Sequence, residues 1–149
     1  MTRASWSEYF IAISKIVASR STCPRLSVGA VLVKDKHIIS TGYNGVPSGI
    51  SHCNNTGCVL VDNHCSLSIH AEINAIKHCK LDTKSSIMYI THNPCINCTL
   101  ELHKAGVRRI VYADLYKPLD YFNIGLNANE LPDIVQLVPG SDRCVRNNY

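Results

Sequence analysis

A chain of 149 residues, 46% of them hydrophobic, can fill the core of one domain and is short for two. No segment reaches the roughly 20 consecutive apolar residues of a membrane span, and the opening "MTRASWSEYFIAISKIVASR" mixes charges into its apolar pattern instead of presenting a signal-peptide core, so a soluble, cytoplasmic protein is expected. The formal charge of +4 favours a small anionic ligand over a membrane or a nucleic acid, because the cations are dispersed and the densest cluster, "VRR" at 107–109, reads as a solvated strand edge.

Trp6, Phe10, Ile13, Ile16 and Val17 recur at helical spacing and predict a helix over 6–20, with Ser5 and Glu8 placed for a capping box. "SVGAVLVKDKHIISTGYNG" reads as two strands, 28–33 and 37–42, joined by a tight "KDK" turn; the first is apolar enough to be buried on both faces. Over 45–68 periodicity disappears while Gly, Asn, Cys and His accumulate. A structureless insertion of that length is uncommon in a compact domain, so a functional or metal-pinned loop is expected. Ile69, Ile73 and Ile76 give an apolar stripe to a helix over 69–79. "SIMYITHN" is a strand, "PCINCTLELHKAG" a helix opened by Pro94 and closed by Gly106, and "RRIVYADLY" another strand. Residues 117–132 carry weak helix signals, and "DIVQLV" supplies a last strand. Helices alternating with buried strands predict a single three-layer α/β domain over 1–149, helices covering both faces of a sheet, with a Cys/His-rich insertion at about 45–68 and no internal repeat.

Eight cysteines in a chain expected in a reducing compartment favour metal binding or catalysis over disulfides. Cys79 and Cys144 have no partner in the sequence pattern and read as inert. Cys95 and Cys98 begin one helix, and His70 and Glu72 begin another. Singly, neither pair says much: a lone histidine at a helix start is ordinarily a cap or a surface residue, and Pro-Cys-x-x-Cys serves zinc sites, redox pairs and structural turns. A redox pair needs no upstream His-x-Glu, and a closed structural zinc needs a fourth protein ligand, for which His92 lies awkwardly close to Cys95. In this order, with a strand between them, the two motifs form the pattern of zinc nucleobase deaminases. His70, Cys95 and Cys98 then give Zn²⁺ three protein ligands and leave the fourth position open for a water, whose pKa falls from near 16 toward about 7. The helix N-terminus favours the thiolates. Glu72 is placed as a proton shuttle: the nucleophile attacks the carbon bearing the amino group, while a carboxyl group protonates the adjacent ring nitrogen and later the departing ammonia.

The stretches "CPRLSVGAVLV", "STGYNGVPSG", "HAEINAI", "THNPCINC" and "AGVRRIVYADLY" resemble deoxycytidylate deaminases, particularly the short bacterial-type members, over roughly residues 6–116. The metal motif marks the wider cytidine deaminase-like superfamily; the "GYNGVPSG" loop and the cysteine-rich insertion narrow it. The resemblance implies a mixed sheet of about five strands between helices and conversion of dCMP to dUMP for thymidylate synthesis. It also implies frequent hexamers, with dCTP activating and dTTP inhibiting. Residue by residue, it puts His70, Cys95 and Cys98 on the catalytic zinc, Glu72 in the shuttle role, Asn44 near the sugar, the Ala71 backbone at the pyrimidine carbonyl, and Arg25 and Tyr116 near the 5′-phosphate. Asn44 equally suits a turn in "YNG", and an arginine in an N-terminal loop is by default solvated, although its planar fork matches phosphate. Some phage-type relatives hold a second, structural zinc, for which Cys23, His52, Cys53, Cys58, His64 and Cys65 are the candidates; four ligands would stiffen a polar loop. The C-terminal part departs from the family, "KPLDYFNIGLNANELPDIV" standing in place of the usual terminal helix. The competing readings are a deaminase of a nucleoside, another nucleotide or a tRNA base, and a non-enzymatic competence-associated protein retaining the fold. An RNA editor would concentrate more basic surface, and intact His-x-Glu and Pro-Cys-x-x-Cys motifs argue against lost activity.

Overall fold

The computed structural model describes residues 2–46, 49, 60–61, 64–65, 68–118, 131–141 and 143–146. Helix α1 (Trp6–Ala18) begins at the expected capping box, with Ser5 N–H donating to Glu8 Oε2 at 2.8 Å and Glu8 N–H to Ser5 Oγ at 3.2 Å. Strands β1 (Gly29–Lys34) and β2 (His37–Tyr43) form an antiparallel hairpin. Its turn residues Asp35 and Lys36 have φ of 50° and 65°, the left-handed backbone that a two-residue hairpin turn demands. Five of the six β1 residues are buried, as the apolar run predicts.

Two very short strands, β3 (Leu60–Val61) and β4 (His64–Cys65), pair with each other apart from the main sheet, inside the region expected to be a loop. Helix α2 (Ala71–His78) starts two residues later than the apolar stripe suggests, because Ile69 is committed to backbone pairing: Ile69 N–H donates to Gly45 O at 2.8 Å and Gly45 N–H to Ile69 O at 3.1 Å. Then follow β5 (Ile87–His92), α3 (Ile96–Lys104), β6 (Arg109–Asp114), β7 (Asp133–Leu137) and β8 (Cys144–Val145). The main sheet has the order β2-β1-β5-β6-β7-β8, with β5, β6 and β7 mutually parallel and the outer pairings antiparallel. Its sixth strand, β8, goes beyond the expected five; two residues are too few for any period to register. Residues 119–130, on which most of the doubtful helix content of 117–132 falls, lie outside the described residues.

The sheet separates two apolar clusters. Phe10 and Ile11 of α1 pack on the face carrying Val31, Val33, Tyr89, Val111 and Val135. Ala71 and Ala75 of α2 and Leu102 of α3 pack on the opposite face, over Leu32, Met88, Ile90 and Ile110. This is the predicted three-layer arrangement. Backbone meets backbone at two glycines of the hairpin: a Cβ on Gly29 would stand 2.0 Å from Ser14 O, and one on Gly42 would stand 2.3 Å from Ala71 O. The Gly42 contact seats the first turn of α2, where the chemistry-bearing residues lie. No described helix is long and apolar enough to cross a membrane.

Candidate active site

Helices α2 and α3 begin beside the carboxyl ends of β5 and β6, the end of an α/β sheet at which ligands bind. His70 is the N-cap of α2, with extended backbone and no side-chain cap bond, so its ring is directed elsewhere. Its Nδ1 lies 3.2 Å from Cys98 Sγ and 3.6 Å from Cys95 Sγ. Cys95 is the N-cap of α3 and its Sγ accepts Cys98 N–H at 3.4 Å, while Thr99 Oγ1 donates to Cys95 O at 2.9 Å and fixes that turn. The three donor atoms all lie within 4.8 Å of one another. A tetrahedral zinc with Zn–N near 2.0 Å and Zn–S near 2.3 Å requires N···S separations of about 3.5 Å. The nitrogen and two sulfurs therefore fit that ion, and as a three-ligand set they leave one position open.

Burial and hydrogen bonding shift the groups around the cluster in different directions. Glu72, 4% exposed in the first turn of α2, has its carboxyl pushed up to about 7 by desolvation, against the opposing pull of its own backbone N–H and of His70. The Cys95 thiol is lowered to about 4, first by the hydrogen bond from Cys98 and then by that from His70. Cys98 moves the other way, because it supplies that proton to Cys95, is buried and faces the Glu72 charge. His70 is raised by its bond to Cys95. These hydrogen bonds favour the thiolate at Cys95, the form in which a cysteine binds metal.

Beside this cluster lies a cavity of about 170 Å³, lined by Arg25, Asn44, Ala71, Glu72 and Tyr116, which brings together every substrate-binding candidate of the sequence reading. Asn44 is more than a turn residue. Its Oδ1 accepts from Val28 N–H at 2.8 Å and Ser21 Oγ at 2.5 Å, and its Nδ2 donates to Leu26 O at 2.7 Å, so its amide ties down the segment carrying Arg25. The same cavity is lined by His92, Asn93 and Lys117, which no sequence motif marks as pocket residues. Lys117 adjoins Tyr116 and could have been found by that adjacency; nothing local marks Asn93. His92, weighed as a fourth ligand, stands outside the metal cluster, with Nδ1 2.9 Å from Thr91 Oγ1.

Cys23, a candidate for a second zinc, lines this cavity too. Among the described residues, His70, Cys95 and Cys98 form the single cluster of metal-binding geometry. His52, Cys53 and Cys58 lie outside the described residues, as do the side chains of His64 and Cys65.

The sequence matches, over residues 4–114, the family described as the cytidine and deoxycytidylate deaminase zinc-binding region. ComE operon protein 2 of Bacillus subtilis is 48% identical over 124 residues, which cover 81% of this chain and 66% of that protein. The deoxycytidylate deaminase of Mycobacterium phage D29 is 38% identical over 124 residues, covering 75% of this chain and 97% of the phage protein. This chain therefore spans just under two thirds of the first and nearly all of the second. Among solved structures, the dCMP deaminase of cyanophage S-TIM5 in complex with dCMP and dUMP superimposes with a TM-score of 0.76 at 26% identity, over 92% of this chain and 100% of the phage chain. The family match runs from before α1 to the end of β6 and so takes in both metal-binding motifs together with most of the sheet that aligns them: the chain belongs to the deoxycytidylate deaminase family, within the cytidine deaminase-like zinc hydrolases.

Proposed function

We propose that this protein is a zinc-dependent hydrolase that converts dCMP and water to dUMP and ammonia, supplying dUMP for thymidylate synthesis. The observation that carries this reading is the meeting of His70, Cys95 and Cys98 with the buried Glu72 carboxyl at the wall of a cavity that also presents the cations Arg25 and Lys117. Similarity to the D29 phage deaminase along nearly its whole length, and to the S-TIM5 enzyme in complex with dCMP and dUMP, supports the choice of nucleotide. His70, Cys95 and Cys98 would hold the zinc ion, which would supply Lewis-acid acidification of a water molecule. Glu72 would accept the first proton of the attacking water and give it to the ring nitrogen next to the amino-bearing carbon, then take the remaining proton from the hydroxyl of the adduct as its carbonyl forms and deliver it to the amine, which leaves as ammonia as the C–N bond breaks. The N–H of Ala71, the first residue of α2, has no acceptor within its helix and is available to the pyrimidine carbonyl. Asn44 borders the sugar, and Arg25, Tyr116 and Lys117 surround the 5′-phosphate.

The same reading extends to a single domain over 1–149 that assembles as a homo-oligomer, up to a hexamer, with dCTP activating and dTTP inhibiting; the family resemblance supports each of these. A reducing cytoplasm suits Cys95 and Cys98, which bind metal as thiolates and not as a disulfide. A second zinc in the 45–68 insertion would bring the metal content to about two per chain, and substitutions of Cys53 and Cys58 would return it to about one. The reaction is tested by offering dCMP, CMP, dCTP and deoxycytidine separately to the zinc-loaded protein and following product and ammonia. The highest kcat/KM is expected for dCMP. Equal kcat/KM for deoxycytidine would reject the nucleotide assignment.

A further inference from the structure

The parallel pairing of β5 with β6 ends at His92 and Asp114, with Asn93 N–H still donating to Asp114 O at 3.2 Å. The chain then leaves the strand, and the Asn93 side chain takes over from the ladder. Its Oδ1 accepts from Tyr116 N–H at 2.7 Å and from Lys117 N–H at 3.4 Å, while its Nδ2 donates to Lys117 O at 2.6 Å. One amide serves as acceptor and donor at once, which an ionised aspartate cannot do. Asn93 is 8% exposed, so each of these bonds is made where water competes poorly. The segment it holds forms part of the cavity wall, with the Tyr116 ring edge-on to His92 at 6.4 Å and Lys117 Nζ 5.8 Å from the Tyr116 ring centre. Asn93 also stands two residues before Cys95. A single turn of backbone therefore sets the metal cluster on one side and the Tyr116–Lys117 pair on the other.

We propose that Asn93 is a positioning residue that makes turnover depend on the substrate's 5′ anion, by fixing the Tyr116 ring and the Lys117 ammonium at a set distance from the metal cluster. This inference rests on the reading of the cavity as a nucleotide site. A lysine is a flexible point charge that gains little from a distant anion unless its backbone is already in place. Asn93 supplies that placement and acts through the loop, not on the reacting atoms. A general folding defect lowers turnover of charged and uncharged substrates alike, whereas a displaced 116–117 segment penalises the one that carries a phosphate.

The test compares kcat/KM for dCMP and for deoxycytidine, together with zinc content, in the wild type, Asn93→Ala, Asn93→Ser, Lys117→Ala and the Asn93→Ala/Lys117→Ala double variant. The dCMP-to-deoxycytidine ratio is expected to fall about tenfold in zinc-loaded Asn93→Ala, mainly through KM for dCMP, and by less in Asn93→Ser, which keeps one acceptor. The double variant should fall no further than the worse single one, as for two residues acting through one contact. A fall of less than about fivefold in Asn93→Ala, or losses that simply add in the double variant, overturns the proposal. If Asn93→Ala does not accumulate with zinc, Asn93→Ser is judged by whether its ratio falls at all. A wild type without preference for dCMP defeats the nucleotide reading and this inference with it; a wild-type preference that survives in the variant defeats the inference alone.

Discussion

Glu72 and Cys98 each lie in the first turn of a helix and each is buried, yet their substitutions separate cleanly by chemistry. Glu72→Gln keeps the size and much of the hydrogen bonding of the side chain but cannot exchange a proton. The variant is expected to fold, to retain its metal and to bind dCMP, with kcat reduced about 100-fold to 10,000-fold. Cys98→Ser removes a soft ligand from a three-ligand set and is expected to lose both metal and activity. Metal analysis beside an ammonia assay distinguishes the two roles, and equal metal loss in both variants would reject them. These residues were legible because motif spacing is local: His70 to Glu72 and Cys95 to Cys98 are set by one helical turn each. Asn93 and Lys117 were not, since their meaning arises only where two strand ends come together. Asn44 was half legible, its place at the pocket following from the family resemblance and its grip on the 21–28 segment appearing only in the structure.

At the scale of elements, the seating of α2 on the hairpin is the vulnerable joint. A methyl group on Gly42 would stand 2.3 Å from Ala71 O and 2.4 Å from Ala75 N, both backbone atoms, so α2 would have to shift and carry His70 and Glu72 with it. Gly42→Ala should therefore cost about 1–3 kcal/mol in a urea unfolding curve and lower kcat as well. Wild-type values for both would show that the helix is not seated by this contact. Ser5→Ala makes a useful contrast. It removes an N-cap far from the site and should cost about 1 kcal/mol while leaving dCMP turnover unchanged. The capping box of α1, the 34–36 turn and the buried β1 strand could be read from the sequence because each is encoded by neighbours. The start of α2 could not: the bridge between Gly45 and Ile69 overrides an apolar stripe that includes Ile69. Strands β3, β4 and β8 escape for a simpler reason, being two residues each.

For the molecule as a whole, the alternation of helices and apolar strands sufficed for three layers, but not for strand order. That β1 lies next to β5 depends on pairing across the entire insertion, and no local pattern records it. The metal ligands come from two different helices on one face of the sheet, so an ion bound there ties α2 to α3. Stripping the protein with a chelator is expected to lower Tm, and restoring zinc to raise it with free zinc concentration, as for any ligand that binds the folded state alone. An unchanged Tm on chelation would mean that the two helices are held without the metal.

The register that sets Ala30 against Ile90 joins two segments far apart in the chain. Helix α1 and the β1–β2 hairpin use contacts close in sequence, which lose little chain entropy on forming. Strand β5 must instead return beside β1 across residues 35–86, a closure expected to be slower because its entropy is lost before its contacts are gained. His70 and Cys95 flank β5 on its two sides, so they remain strangers until that strand has docked. Zinc held by His70, Cys95 and Cys98 together would therefore be captured only after β5 has docked, and would then keep that strand in place.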